Sequence, residues 1–231
     1  MAAPLRLSVV VPVGPGDRAW TGLLGDLAAL DDSAEIVLVA AEGEAPGIFA
    51  AQDYGLTART RWLEAPAGRA RQQNAGARAA AGDAVWFLHA DSRLPARSVA
   101  AALDFAGDEG LGYFRLRFLA DGPLPARLNA LGAGIRSRLL HLPFGDQGFL
   151  LRRETYEALG RFDETLSGGE DHALVWLARA RGVPLVDLSM PIFSSARRYR
   201  DQGWLRTTLR HARLTVSQAR RFSAMARQRS P

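Results

Sequence analysis

The sequence contains no cysteine. That excludes disulfides, thiolate metal sites and cysteine nucleophiles. It contains no lysine either, so all 29 basic residues are arginine. Lysine Schiff-base chemistry and a Walker-type phosphate lysine are therefore excluded. No window approaches ~18 uninterrupted apolar residues, so no spanning helix is expected. The apolar stretch nearest the N-terminus, Leu7–Val13, is short and broken by Ser8 and Pro12. It reads as a first strand rather than a signal peptide, with cytoplasmic location as the default. The four histidines, His89, His141, His172 and His211, are too scattered for a metal cluster by spacing. A GxxxxGK[ST] loop, a GxGxxG turn after a strand and a Ser/His/Asp hydrolase elbow are all missing. Their absence removes the commonest P-loop, dinucleotide and hydrolase readings. There is no internal repeat and no low-complexity linker.

What is present suits one well-packed domain: 231 residues, 48% of them hydrophobic. The charge is unevenly placed. Residues 197–231 hold ten arginines and one acid, Asp201, whereas residues 1–196 hold 19 basic and 23 acidic residues. The net +5 is thus a basic C-terminal segment on a mildly acidic body. This points to a tail that meets something anionic and weakens a nucleic-acid reading.

Along the chain, Leu5–Val13 reads as a strand ending at the turn Gly14-Pro15-Gly16, with Asp17 able to cap the helix that follows. Trp20, Leu23, Leu24, Leu27 and Leu30 fall at helical spacing. Further strands are expected at Glu35–Ala40, Arg61–Leu63 and Ala84–Leu88, with helices at Arg69–Ala81 and Pro95–Ala106. The order β-α-β-β-α-β-α implies an α/β domain with a mostly parallel sheet. In the second half, Tyr113–Leu119 alternates and reads as an antiparallel or edge strand. Gln147–Leu151 and Val183–Leu188 read as strands. Ala126–Leu140, Arg153–Leu159, Asp171–Arg181 and a long arginine-rich stretch from Trp204 to Met225 read as helices.

Four stretches have the residue types for chemistry, each with an ordinary structural alternative. Asp91 follows the buried-strand pattern Ala84–Leu88, where ligands of open α/β sheets bind. It can hold a divalent cation or cap the helix near Pro95. Glu170 and Asp171 follow Gly168-Gly169 and open a helix. Acids there complement the macrodipole, or one acts as a general base. Gly145-Asp146-Gln147-Gly148 has turn chemistry and can line a substrate cleft. Arg197 and Arg198 follow the last strand, as surface charge or as a clamp on a diphosphate.

Taken in order over roughly residues 6–200, these stretches resemble the GT-A fold of family 2 glycosyltransferases. Leu7-Ser8-Val9-Val10-Val11-Pro12-Val13 resembles the family's opening strand, and Glu35-Ile36-Val37-Leu38-Val39 its second. Gly68-Arg69-Ala70-Arg71-Gln72-Gln73-Asn74-Ala75-Gly76-Ala77 resembles the helix that approaches the donor nucleotide. Phe87-Leu88-His89-Ala90-Asp91 falls where the family carries Asp-x-Asp, with His89 in place of the first acid. Leu150–Glu154 and Gly160–Glu164 resemble the stretch before the acceptor region, and Glu170-Asp171 falls on the family's Glu-Asp motif. The second strand ends in Ala40-Ala41-Glu42-Gly43 rather than Asp-Asp-Gly-Ser, and a Gln-x-x-Arg-Trp motif is absent. The wording of residues 68–95, with Gly145-Asp146-Gln147, is similar to the radical-SAM/selenodomain-associated transferase subgroup.

The resemblance implies an α/β, Rossmann-like GT-A domain over 1–200, with residues 201–231 as a basic helical extension of it. It implies sugar transfer from a nucleoside diphosphate-sugar to an acceptor hydroxyl, with inversion and with Mg2+ or Mn2+. Asp171 would be the base, Asp91 the metal ligand and Arg198 the diphosphate stabiliser. Pro12, Asn74, Gly76, His89 and Arg197 would line the donor pocket, with Glu170 and Asp146-Gln147 near the acceptor. The alternatives are a nucleotidyltransferase and a catalytically degenerate module that binds a nucleotide-sugar or an anionic surface. No nucleic acid is expected. In residues 204–231, Leu205, Leu209, Ala212, Val216 and Ala219 form an apolar stripe among arginines. That stripe would either pack on the domain or lie peripherally on the inner face of a membrane.

Overall fold

The computed structural model describes residues 6–43 and 54–228. Leu5 and residues 229–231, included in the expectations above, lie outside them. The sheet has seven strands: β1 (Leu7–Val13), β2 (Glu35–Ala41), β3 (Arg59–Ala65), β4 (Ala84–Phe87), β5 (Leu111–Phe118), β6 (Phe149–Arg152) and β7 (Leu185–Ser194). Their order across the sheet is β3-β2-β1-β4-β6-β5-β7. β2 is buried along its whole length, as are β4 and all of β1 except Pro12, which is half-buried. This is what a continuous β-branched and aliphatic run requires when helices cover both faces.

The helices are α1 (Trp20–Asp26), α2 (Arg69–Ala79), α3 (Ala96–Phe105), α4 (Ala126–Leu139), α5 (Arg153–Ala158), α6 (Glu170–Ala180), α7 (Arg197–Asp201) and α8 (Trp204–Gln228). Strand alternation divides the core into two layers. Val9, Val11, Ile36, Leu38 and Trp86 pack with Leu23 and Leu24 of α1 and Val99 of α3. Val10, Val37, Val39 and Phe87 pack on the opposite face with Ala70 and Ala77 of α2, Tyr156 of α5 and Leu174 of α6. The alanine- and glycine-rich sequence of α2 lets it lie close to the sheet. A Cβ on Gly76 would strike the Val10 side chain and come within 3.0 Å of Val39.

The sheet is mixed rather than uniformly parallel. Six strands run one way and β6 runs against them, between β4 and β5. Tyr113–Leu119, expected as an antiparallel or edge strand, is an interior strand. β5 pairs antiparallel with β6 on one side and parallel with β7 on the other. Gln147 does not begin a strand: Gly145–Gln147 is one 3-10 turn, and β6 starts at Phe149. β7 runs six residues beyond the expected Leu188. Its pairing slips between Asp187 and Pro191, where Ser189 takes a left-handed φ of 60°, and that break hides the strand's period in the sequence. Among the described residues no helix is long and apolar enough to cross a membrane.

Candidate active site

The carboxyl ends of β1, β4 and β7, the amino end of α6, and α4, α7 and α8 enclose a cleft of about 1000 Å3. Its position follows the rule that open α/β sheets bind ligands beyond the strands' carboxyl ends. Pro12, His89, Asp91, Asp146, Asp171, Arg197 and Arg198 all line it.

The turn that holds Asp91 is fixed from both sides. The Leu88 amide donates to Val10 O at 3.0 Å and the Ser92 amide to His89 O at 3.0 Å. Two residues on, Arg93 exchanges backbone hydrogen bonds with Phe193 of β7 and pairs with Asp26 of α1 through Nε at 2.6 Å and Nη2 at 2.9 Å. Asp91 caps no helix, because the first turn of α3 has no side-chain cap. Burial pushes its carboxyl above the ordinary aspartate range. The nearby Asp17 pushes the same way, and Arg197 and the Ser195 amide oppose it. Burial, then Arg69, hold His89 neutral, with its pKa lowered to about 3. Its Nε2 is buried without a partner.

Asp171 sits in the first turn of α6. Its Oδ2 accepts the Gly145 amide at 2.6 Å and its Oδ1 the His172 amide at 2.8 Å. A Cβ on Gly145 would lie 3.0 Å from that Oδ2, so the glycine of the 145–147 turn allows the contact. Burial raises the neighbouring Asp146 to about 6 against the field of Arg136, and its Oδ1 has no partner. Arg136 lies 3.5 Å over the Phe144 ring, its Nε donating to Leu142 O at 2.8 Å. Arg197 and Arg198 open α7. Its approach is set by Asp121, which accepts Ser195 Oγ at 2.6 Å and the Ala196 amide at 2.8 Å.

Four expected residues stand apart from the cleft. Asn74 accepts the Tyr156 hydroxyl and donates to Phe162 O at 2.9 Å and Glu164 Oε1 at 2.8 Å. It borders a separate cavity of about 420 Å3. Gly76 serves helix–sheet contact. Gln147 is buried and bonded at both ends of its amide: Oε1 accepts Ser137 Oγ at 2.7 Å and the Phe144 amide at 3.1 Å, and Nε2 donates to Phe114 O at 2.9 Å. Glu170 is buried with Oε1 3.6 Å from Arg69. It holds that arginine rather than facing the cleft.

Other lining groups escaped sequence reasoning: Asp17, Arg69, Arg136 and the Tyr199–His211 pair, in contact at 3.3 Å. Besides Asp17, which follows the turn that ends β1, Arg69 has a local signal. It opens α2 after Gly68, whose φ is 133°.

The carboxylate set bears on a metal. Among the described residues, no three or more His, Asp or Glu form a group that could hold an ion. Mg2+ and Mn2+ commonly take only one or two protein carboxylates when phosphate and water supply the rest. Asp91, raised by burial and by Asp17, fits that arrangement, since a cation would relieve the repulsion between the two acids.

No known family matches the chain by sequence, and no curated protein does. Solved structures match it by fold. A mannosyltransferase from Pyrobaculum calidifontis, PcManGT, in complex with GDP-Man and Mn2+, superposes with a TM-score of 0.69 at 20% identity, over 100% of this chain and 67% of that one. S. aureus TarS 1–349 in complex with UDP gives 0.64 at 16% identity, over 83% of this chain and 61% of that one. Its complex with UDP-GlcNAc gives 0.63 at 17%, over 83% and 58%. This chain thus spans about three fifths of the TarS 1–349 structures. At these identities the likeness is one of fold and separates no subgroups: an α/β, broadly GT-A-like sheet, which PcManGT and TarS share.

Proposed function

We propose that this chain is a glycosyltransferase that moves a sugar from a nucleoside diphosphate-sugar to an acceptor hydroxyl, with inversion. One observation carries the reading: Asp91, Arg197, Arg198 and Asp171 converge on a single cleft beyond the carboxyl ends of a GT-A-like sheet. The solved relatives with UDP, UDP-GlcNAc and GDP-Man support a donor of that class.

Asp171 is the base. Two backbone amides fix its carboxylate and leave it free to take the acceptor hydroxyl's proton as that oxygen attacks. Arg198, with Arg197, holds the diphosphate as negative charge builds on the leaving oxygen. Asp91 would hold Mg2+ or Mn2+, as the Mn2+ in the PcManGT complex suggests. Such an ion, when bound, neutralises diphosphate charge. His89, neutral across the physiological range, offers a nitrogen beside that position without adding positive charge. Glu170 is a positioning residue that acts through Arg69. Asn74 and Gly76 shape α2, and neither lines this cleft.

The test is a thermal-shift panel of UDP, GDP, CDP, dTDP and their sugars, with and without Mn2+. A selective, metal-dependent rise for one nucleoside diphosphate is expected, about 2.7 kcal/mol at 100 times Kd. The absence of a shift with every nucleotide would overturn the reading.

A further inference from the structure

α4 carries its large apolar residues on the wrong side for a soluble helix. Its buried positions, Ala126, Ala133 and Ser137, are small. Leu128, Leu131, Ile135 and Leu139, together with Leu124 just before the helix, are 46–74% exposed. At 3.6 residues per turn these five fall within an arc of about 80°, opposite the buried face. α8 carries a second exposed stripe, beside its buried face rather than opposite it. Thr207, Phe222 and Ala226 are buried, while Leu205, Leu209 and Val216 are 49–60% exposed, with Ala212 between them on an arc of about 60°.

The two helices are joined at their polar sides. Trp204 Nε1 donates to Asn129 Oδ1 at 2.7 Å, and Asn129 Nδ2 to Thr208 Oγ1 at 2.9 Å. Both stripes reach the rim of the cleft, α4 through Leu128 and α8 through Ala212. Neither helix contains an acidic residue. Arg127 and Arg138 flank the α4 stripe, and Arg206, Arg210, Arg213 and Arg220 border that of α8 on the side away from the domain, all exposed.

We propose that α4 and α8 together form an interfacial docking face for an anionic lipid bilayer, which seats the mouth of the cleft at the membrane surface. Exposed leucines enter the headgroup–acyl boundary, and the arginines beside them meet lipid phosphates. The chemistry favours lipid over nucleic acid, which offers nothing to a double row of leucines. It favours lipid over a second copy, because two such faces brought together would oppose arginine to arginine. Resting on the transferase reading, one consequence is that the acceptor is an amphiphile whose hydroxyl lies at the lipid–water boundary.

The test is co-sedimentation of the full chain with vesicles of phosphatidylcholine alone or with roughly 30% phosphatidylglycerol, at about 0.1 M salt. Binding about tenfold tighter to the anionic vesicles is expected. L131S/I135S/L139S should weaken it about tenfold or more while melting normally. R206Q/R210Q/R213Q should erase the preference for anionic lipid. Wild-type protein left in the supernatant overturns the proposal, and so does a serine variant that sediments as the wild type does. A wild-type dimer that the serine variant dissociates, without vesicle binding, assigns the face to a second copy and also overturns it. Vesicle binding needs no nucleotide, so failure here is distinct from failure of the nucleotide panel.

Discussion

The two ends of the one sheet treat buried carboxylates in opposite ways. At the amino end Glu35 is closed off. It accepts Ser8 Oγ at 2.6 Å and the Ala81 amide, and pairs with Arg61 Nη2 at 3.1 Å. Burial works to raise its carboxyl, but these bonds and the arginines win and hold it below the ordinary range. At the carboxyl end burial wins. Asp91 and Asp146 are both pushed up, and Asp146 keeps an oxygen with no partner. A folded chain pairs a buried charge when the charge serves only the fold. Carboxylates that burial pushes up inside a cleft mark a candidate ligand site. The sheet is thus stabilised at one end and poised at the other.

The largest effects should fall on opposite properties at the two ends. Asp171→Asn should lower sugar transfer about 10²–10⁴-fold while leaving the nucleotide-induced thermal shift intact. Retained turnover, measured on whichever donor the panel selects, would remove Asp171 from the chemistry. Glu35→Ala should do the reverse. It strands Ser8, Arg61 and the Ala81 amide, and should cost about 3 kcal/mol, or about 6–12 °C in Tm, with nucleotide affinity unchanged in the folded fraction. A smaller loss is expected for Asp91→Asn. The Mn2+-dependent part of the nucleotide shift, up to about 2.7 kcal/mol at 100 times Kd, should vanish while the unliganded Tm holds or rises. If Asp91→Asn and Glu35→Ala cost the same stability, the contrast between the two ends fails.

Much of this contrast was written locally in the chain. The runs at Leu7–Val13, Glu35–Ala41 and Ala84–Phe87 announce buried strands because both faces are covered. A carboxylate just past such a strand, like an acid opening a helix after paired glycines, is visible as a candidate. What stayed hidden depends on direction. The sequence marks Gln147 beside Asp146 but not that one side chain turns into the Ser137–Phe114 interior and the other toward the cleft. Asn74 has the right neighbours in sequence, yet its amide is claimed by Tyr156 and Phe162, far along the chain. Arg136 lies in the last turn of α4, where a basic residue is ordinary, and only the packing of the helix brings it over Phe144. The period of α4 is legible. That its leucines face outward is decided by the small residues that fit beneath the helix.

The subtlest prediction concerns Asp146, and its sign separates the two ends most cleanly. Its folded pKa of about 6 lies above the ordinary aspartate value because burial outweighs Arg136. Below pH ~4 the group is protonated folded or unfolded, so it imposes no penalty there. As the pH rises through about 6, the unfolded chain ionises more readily than the folded one, and stability is lost. Asp146→Asn removes that penalty. The variant should match the wild type at pH 4 and exceed it by about 1–3 kcal/mol at pH 7, read as a difference in Tm that opens between the two and stays constant above. Glu35, held low, has the opposite dependence: its stabilisation is present at neutral pH and fades in acid as its folded pKa is crossed. The Asn variant at the cleft and a Gln variant at position 35 should therefore diverge from the wild type in opposite directions at pH 7. A flat difference across the range for Asp146→Asn would mean that its carboxylate is solvated in the cleft and carries no strain.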